Sequence, residues 1–143
     1  MRKFIALAVI AAMGIAAAPI QEKPEGKLPN KGRDMMLSMG AGMKGNKLEK
    51  TIAKAAESPL GSKANPVREN MPEGEVAYLR KLRCEDGTAP KFDRAGNVGE
   101  GPYGFIVDLY KVTCPGKDAV DVHIDMYHDG GETRPVPGFT IVN

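Results

Sequence analysis

The sequence predicts an α+β fold, a small antiparallel meander sheet of three to four strands with one helix packed on a face. Two observations lead to this fold class. Three strand-forming stretches follow one another between residues 91 and 128, joined by short links that contain Pro and Gly. A helix-start pattern lies just before them, at residues 72–75. Because short links join antiparallel neighbours, the strands are expected to form hairpins.

The helix is predicted over residues 72–82. Pro72 and the acidic Glu73 suit a first helical turn, where the helix dipole favours negative charge. Val76 and Leu79 then form a weak apolar stripe with helical spacing. Apolar residues of the same segment also alternate as they would in a strand, and we favour the helix.

The strands are predicted in order after the helix. Residues 91–98 give a modest signal, and residues 105–114 give a strong one with apolar side chains on both faces, so that strand is expected to be central. Residues 120–128 alternate cleanly, and residues 139–142 are expected to add a last short strand. The expected core face of 120–128 is Val120, Val122, Ile124 and Met126, and the expected water-facing side is Asp121, His123, Asp125 and Tyr127.

Aromatic residues indicate where the folded domain lies. The chain has 4 Tyr and 4 Phe, and apart from Phe4 they all fall between Tyr78 and Phe139. Residues 19–64 contain no aromatic residue and are rich in Gly, Lys and Met, so they are expected to be a mostly disordered, flexible lead-in with a short helix at 47–57. The globular domain is expected over residues 65–143.

Residues 1–18 have the pattern of a secretory signal peptide. Arg2 and Lys3 precede an apolar run, and small residues follow it. The run is shorter than the roughly 20 apolar residues that a transmembrane helix needs. The protein is therefore expected to be bacterial and either periplasmic or secreted, with no membrane span after cleavage.

Charge divides at the same boundary as composition. Residues 19–63 carry 9 Lys or Arg and 5 Asp or Glu, whereas residues 64–143 carry 9 and 13. A basic lead-in could contact an anionic surface or fold back on its own acidic domain, and we favour a solvated spacer. The domain has no basic stripe with interleaved aromatic residues, which argues against nucleic-acid binding.

Cys84 and Cys114 are the only cysteines of the chain. An even cysteine count in an exported chain indicates a disulfide, here between the end of the helix and the end of the central strand. A redox-active or metal-binding pair is the alternative, and it lacks the CxxC spacing that is typical of such sites.

The chain lacks the common catalytic patterns. Its only serines, Ser38, Ser58 and Ser62, lie in the lead-in and outside any Gly-x-Ser-x-Gly elbow, and a disulfide would leave no thiol nucleophile. No Gly-rich stretch ends in the Lys-Ser/Thr pair of a phosphate-binding loop. These absences argue against an enzyme.

One polar stretch, residues 121–129, is a candidate metal site because it holds both histidines and three carboxylates. On an unbroken strand residues 123 and 128 point to opposite faces, so Gly130-Gly131 would have to bend the chain. A polar strand face with a hydrogen-bonded histidine is the simpler interpretation. The candidate zinc ligands are His123, His128, Asp125 and Asp108.

A second candidate metal site lies in the lead-in, where four methionines recur at helical spacing. Thioethers suit Cu(I), although neighbouring glycines weaken a helix there and methionine also serves as an adaptable apolar contact. The four are Met35, Met36, Met39 and Met43.

These observations favour an exported, non-catalytic domain that binds another protein or an envelope component. The expected contact surface is the water-facing side of 120–128, above all Tyr127, with Phe139 beside it. The alternative is a metal-binding protein or a metal-dependent hydrolase built on the candidate zinc ligands.

Overall fold

The computed structural model describes residues 29–143; the predicted signal peptide and residues 19–28 of the predicted lead-in lie outside the described residues. The described residues form three helices and six strands, and the strands make up two sheets. In chain order they are α1 (Lys31–Ser38), α2 (Gly45–Ala55), β1 (Val67–Arg68), α3 (Met71–Lys81), β2 (Leu82–Arg83), β3 (Lys91–Glu100), β4 (Ile106–Thr113), β5 (Val120–Asp125) and β6 (Thr140–Ile141).

The predicted meander is confirmed. Strands β3, β4 and β5 pair antiparallel in sequence order, and β4 lies between its two neighbours. Tyr110 of β4 lies opposite Val122 of β5, which puts large apolar side chains on the same face. On the other side of β4, strand β3 shifts register twice, near Gly96 and again before Glu100.

The fourth strand is not the predicted one. β1 pairs parallel with β5, so the four-stranded sheet is mixed and not purely antiparallel. β6, within the predicted strand at 139–142, pairs antiparallel with β2 in a separate two-stranded sheet. Each of these three strands is two residues long, and such a strand is too short to carry a period-two pattern.

The predicted helix is α3, and it packs on one face of the sheet as expected. Pro72 lies in its first turn, and Tyr78 and Leu79 are buried in the main core. The fully packed members of that core are Val67, Tyr78, Leu79, Leu82, Tyr110, Val112, Val122, Ile124 and Val136.

The predicted disulfide is confirmed between Cys84, just after β2, and Cys114, just after β4. Their Cα atoms lie 5.9 Å apart and the bond closes a loop with a sequence separation of 30 residues. In the chain-entropy model a loop of this size contributes about 3–4 kcal/mol to stability.

The structure differs from the predicted flexible lead-in between residues 29 and 64. Helices α1 and α2 pack against a second apolar cluster whose buried members are Ala55, Tyr103 and Phe105. α2 covers most of the helix predicted at 47–57 and begins two residues earlier, at Gly45. The helices supply aliphatic and Met side chains, and the aromatic rings come from the sheet, so the missing aromatic residues did not prevent burial.

Asn30 anchors this helical layer to the sheet. It is fully buried, and its Nδ2 donates to the carbonyl oxygens of Met126 at 2.7 Å and His128 at 3.1 Å. Its Oδ1 accepts from the backbone N–H of Arg33 at 2.8 Å and caps α1. Arg33 in turn forms an ion pair with Asp129.

Glycine allows the closest approach between the layer and the sheet. Gly42, with φ of +84°, lies against the Phe105 ring so tightly that a Cβ atom there would overlap the ring. Gly104, with φ of +77°, lies against the backbone of Gly42, whose Cα would be 3.0 Å from an added Cβ. Any residue other than glycine at position 42 would push the helical layer away from Phe105.

Candidate functional site

The structure brings together two of the four candidate zinc ligands. His128 Nε2 lies 3.3 Å from Asp125 Oδ2, and both side chains are buried. The two atoms approach without the alignment of a hydrogen bond, and neither has another hydrogen-bond partner among the described residues. The pair is therefore a buried polar contact whose hydrogen-bonding capacity is incompletely used.

The other two candidate ligands lie elsewhere with partners of their own. The Gly61 carbonyl oxygen lies 3.0 Å from His123 Nδ1 and accepts from the His123 backbone N–H at 2.8 Å. Asp108 accepts from Arg94 Nε at 2.7 Å and from Arg94 Nη2 at 2.8 Å, which is a bidentate ion pair. Within residues 29–143, no three His, Cys, Asp or Glu side chains lie close enough to hold one metal ion.

The expected water-facing side of 120–128 is partly covered. Asp125 is fully buried, and Tyr127 is half-buried and stacks on Phe105 with ring centroids 5.3 Å apart. Tyr103 meets the His128 ring edge-on at 5.1 Å. Alternation along a strand predicts which residues share a face, but it does not show whether that face is covered. Helices α1 and α2 pack in the same cluster as Tyr127 and so keep it partly out of water.

Two buried glutamates were not foreseen. Burial raises the pKa of Glu75 to about 7, although Tyr110 Oη donates to its Oε2 at 2.9 Å. Burial likewise raises the pKa of Glu69 to about 7, where its Oε1 accepts from the Glu132 backbone N–H. A helical period marks Glu75 as lying near the Leu79 stripe, but local sequence does not show what covers it.

The four methionines of the copper hypothesis do not share one face. Met35 and Met39 are 62% and 61% exposed, whereas Met36 packs against the Phe105 cluster. Met43 Sδ accepts from Thr51 Oγ1 of α2 at 3.5 Å. Because α1 ends at Ser38, the helical spacing that would align all four does not continue to Met43.

A groove lies at the end of the sheet where β4 ends and β5 begins. Its volume is about 430 Å³. The disulfide-bonded Cys84 and Cys114 line it, together with Val120 and Phe139. Val120 is 41% exposed although it begins a strand whose next same-face residue, Val122, is fully buried. An apolar floor therefore reaches solvent at this point.

Acidic side chains predominate around the groove. Glu85, Asp86 and Asp118 line it, against the single base Lys117. Thr88 donates to Asp86 Oδ1 from both its hydroxyl, at 2.7 Å, and its backbone N–H, at 3.0 Å. The side-chain hydrogen bond is the main reason that the pKa of Asp86 is lowered, so this carboxylate is ionised at neutral pH.

Of the predicted contact residues, Phe139 lines this groove and Tyr127 lies at the opposite end of the sheet. Sequence reasoning missed the groove as a whole, because its lining comes from three separated stretches of chain. The available signal was Phe139 itself, an aromatic residue beside Gly138 near the end of the chain.

Within residues 29–143, none of the helices combines the length and the apolar character needed to cross a bilayer. Neither protein-family models nor curated protein sequences nor solved structures give a match to this chain.

Proposed function

We propose that this chain is an exported, non-catalytic binding domain whose disulfide-end groove takes an extended peptide segment with one apolar side chain flanked by Lys or Arg. The observation that carries the proposal is the groove: an apolar floor at the exposed Val120 and the half-buried Phe139 under a predominantly acidic rim. Apolar contact supplies affinity in such a site, and the rim charges select the sign of the partner.

Two features support export to the periplasm or beyond. Residues 1–18 carry the charged start, apolar run and small-residue exit of a signal peptide. The Cys84–Cys114 disulfide suits an oxidising compartment, because cytosolic thiols are kept reduced.

The shape and size of the groove favour a peptide side chain. A volume of about 430 Å³ accommodates a Leu or Phe side chain with part of its neighbouring backbone. Glu85 and Asp118 lie on the rim, where they would attract Lys or Arg residues on either side of the apolar anchor.

The experiment is a ¹⁵N NMR titration with two matched pentapeptides, acetyl-Lys-Lys-Phe-Lys-Lys-amide and acetyl-Glu-Glu-Phe-Glu-Glu-amide. We expect the basic peptide to shift amide signals around Val120, Cys114 and Phe139, with weak affinity because a short peptide orders on binding. The acidic peptide should leave these signals unchanged.

The charge-reversal pair Glu85→Lys and Asp118→Lys should weaken binding of the basic peptide about tenfold or more. The double variant Asp93→Lys, Glu100→Lys makes the same charge change at exposed residues of β3 outside the groove lining, and as the matched control it should bind like wild type. Shifts that fall outside the groove, or equal binding of the two peptides, would reject the proposal.

A metal-binding protein is the second candidate, and a single contact favours it. His128 Nε2 and Asp125 Oδ2 lie as close as two ligands of one ion, and both lack an aligned hydrogen bond. Metal analysis of untagged protein would support this candidate if stoichiometric zinc were present and were lost in His128→Gln. His123→Gln, which alters a residue paired with Gly61, is its control.

A further inference from the structure

The helical layer at residues 29–63 is basic, whereas the remainder of the described chain is acidic. Among these residues the acidic side chains are Asp34, Glu49 and Glu57. The basic ones are Lys31, Arg33, Lys44, Lys47, Lys50, Lys54 and Lys63. The charge separation that composition indicates is therefore a feature of the folded surface, since this segment packs on the sheet.

The solvent side of α2 presents lysines. Leu48, Ile52 and Ala55 turn towards the Phe105 cluster, and Lys47, Lys50 and Lys54 are exposed. Within residues 29–143 these three lysines form no ion pair, in contrast to Arg33, which pairs with both Asp34 and Asp129. Their charges are available to a partner.

The neighbouring helix α1 presents apolar side chains to solvent. Met35 and Met39 lie one helical turn apart and are the two most exposed large apolar residues described, at 62% and 61%. Met36, between them in sequence, faces the Phe105 cluster, so the packing of α1 does not require the two exposed methionines. Long unbranched thioether chains can adapt to an irregular apolar surface.

We propose that helices α1 and α2 of this layer dock on an anionic lipid surface. Lys47, Lys50 and Lys54 would lie among the lipid phosphates, and Met35 and Met39 would enter the boundary between headgroups and acyl chains. A soluble polyanion would use the lysines alone. The two exposed methionines therefore favour a membrane surface over such a polymer.

The test is sedimentation of the chain without its predicted signal peptide, residues 1–18, with vesicles of phosphatidylglycerol mixed with phosphatidylcholine, and with vesicles of phosphatidylcholine alone. Binding should require phosphatidylglycerol and should weaken as salt rises. The triple variant Lys47→Gln, Lys50→Gln, Lys54→Gln should lower the apparent partition coefficient about 100-fold, because each surface lysine contributes about fivefold. Gln preserves helix propensity at these positions.

The matched control is Arg80→Gln, Lys81→Gln, Lys91→Gln, which makes the same charge change at exposed residues outside the layer. It should bind like wild type. Every chain compared shares residues 19–28, so any contribution of that segment is equal in all of them.

The methionine variant Met35→Gln, Met39→Gln separates lipid from a soluble polyanion. It should weaken vesicle binding about tenfold, because it removes apolar area that the bilayer would bury. Circular dichroism of each variant should be unchanged. Equal binding of wild type and this variant, equal loss in the two charge variants, or equal affinity for soluble polyglutamate would each overturn the proposal.

Discussion

The two ends of the same strand pair are held in different ways. Where β4 begins and β5 ends, helices α1 and α2 cover Phe105 and Tyr127, and Asn30 ties the layer down by hydrogen bonds. Where β4 ends and β5 begins, a disulfide holds the chain and the apolar floor at Val120 remains open. One end is closed and basic, and the other is open and acidic at its rim.

The difference shows what a covalent cross-link allows. An end that depends on packing must bury its apolar surface to remain ordered. An end held by a disulfide gains stability from restricting the unfolded chain, and so it can leave an apolar groove unfilled. The two ends of the sheet are thus stabilised differently, one by the packing of the helical layer and the other by the disulfide beside the groove.

Breaking the disulfide should have the largest effect. The double variant Cys84→Ala, Cys114→Ala should lower the free energy of unfolding by about 3–4 kcal/mol, because the unfolded chain regains the entropy of the closed loop. Urea unfolding of the oxidised wild type and the variant measures the change. Amide exchange should rise first around the groove, and a loss below about 1 kcal/mol would show that this end is held by packing after all.

Disturbing the end covered by the helical layer should lower the free energy of unfolding slightly less than removal of the disulfide. Gly42→Ala should lower the free energy of unfolding by about 3 kcal/mol, because the new Cβ overlaps Phe105 at a backbone angle that L-residues disfavour. Gly40→Ala is a matched control, since Gly40 has a similar φ of +81° with open space around it. We expect that control to lose about 1 kcal/mol of the free energy of unfolding. Equal losses in the two variants would mean that the layer is not tightly seated.

The smallest change in the free energy of unfolding should come from pH, through a buried glutamate of α3 that contacts the sheet. Burial raises the pKa of Glu75 to about 7 from an ordinary value of 4.5, so the folded protein holds this proton more tightly than the unfolded chain. The resulting stability is complete below the unfolded pKa and is lost as pH rises through 7. Glu69 behaves in the same way.

Glu75→Gln imitates the protonated carboxyl and should flatten part of this dependence. After allowance for solvent screening, we expect the variant to gain on the order of 1–2 kcal/mol relative to wild type between about pH 5 and pH 8. Urea midpoints across that range measure the effect. A wild-type protein that became more stable over the same interval would contradict the assigned sign.

Elements that carry their own periodic signal could be predicted from the sequence. Residues 72–82 contain a helix start and an apolar stripe, and residues 105–114 and 120–128 contain the alternation or apolar run of a strand. Each prediction used neighbouring residues alone. Strands β1 and β2 could not be found in this way, because each is two residues long and is defined by a distant partner. β6 lies within the strand predicted at 139–142, but its pairing with β2 could not be foreseen.

The packing of the helical layer on the sheet was missed for a related reason, although helix α2 itself was predicted at 47–57. Its own segment has no aromatic residue, and the ring that makes its burial favourable, Phe105, lies far along the chain. The same omission misplaced Tyr127, which alternation assigned to water and which α1 in fact contacts near Gly32. The local sequence pattern predicts which residues share a face of a strand, whereas only the tertiary structure shows which face is covered.

Strand β3 has an outer edge that no other strand of the sheet covers. Its two register shifts, with Gly96 at φ of +130° and Gly99 at +81°, distort the line of backbone groups that a second molecule would need for pairing. Lys91, Asp93 and Arg94 add exposed charge along the same edge. Edge-to-edge pairing of two molecules through this strand is thereby discouraged.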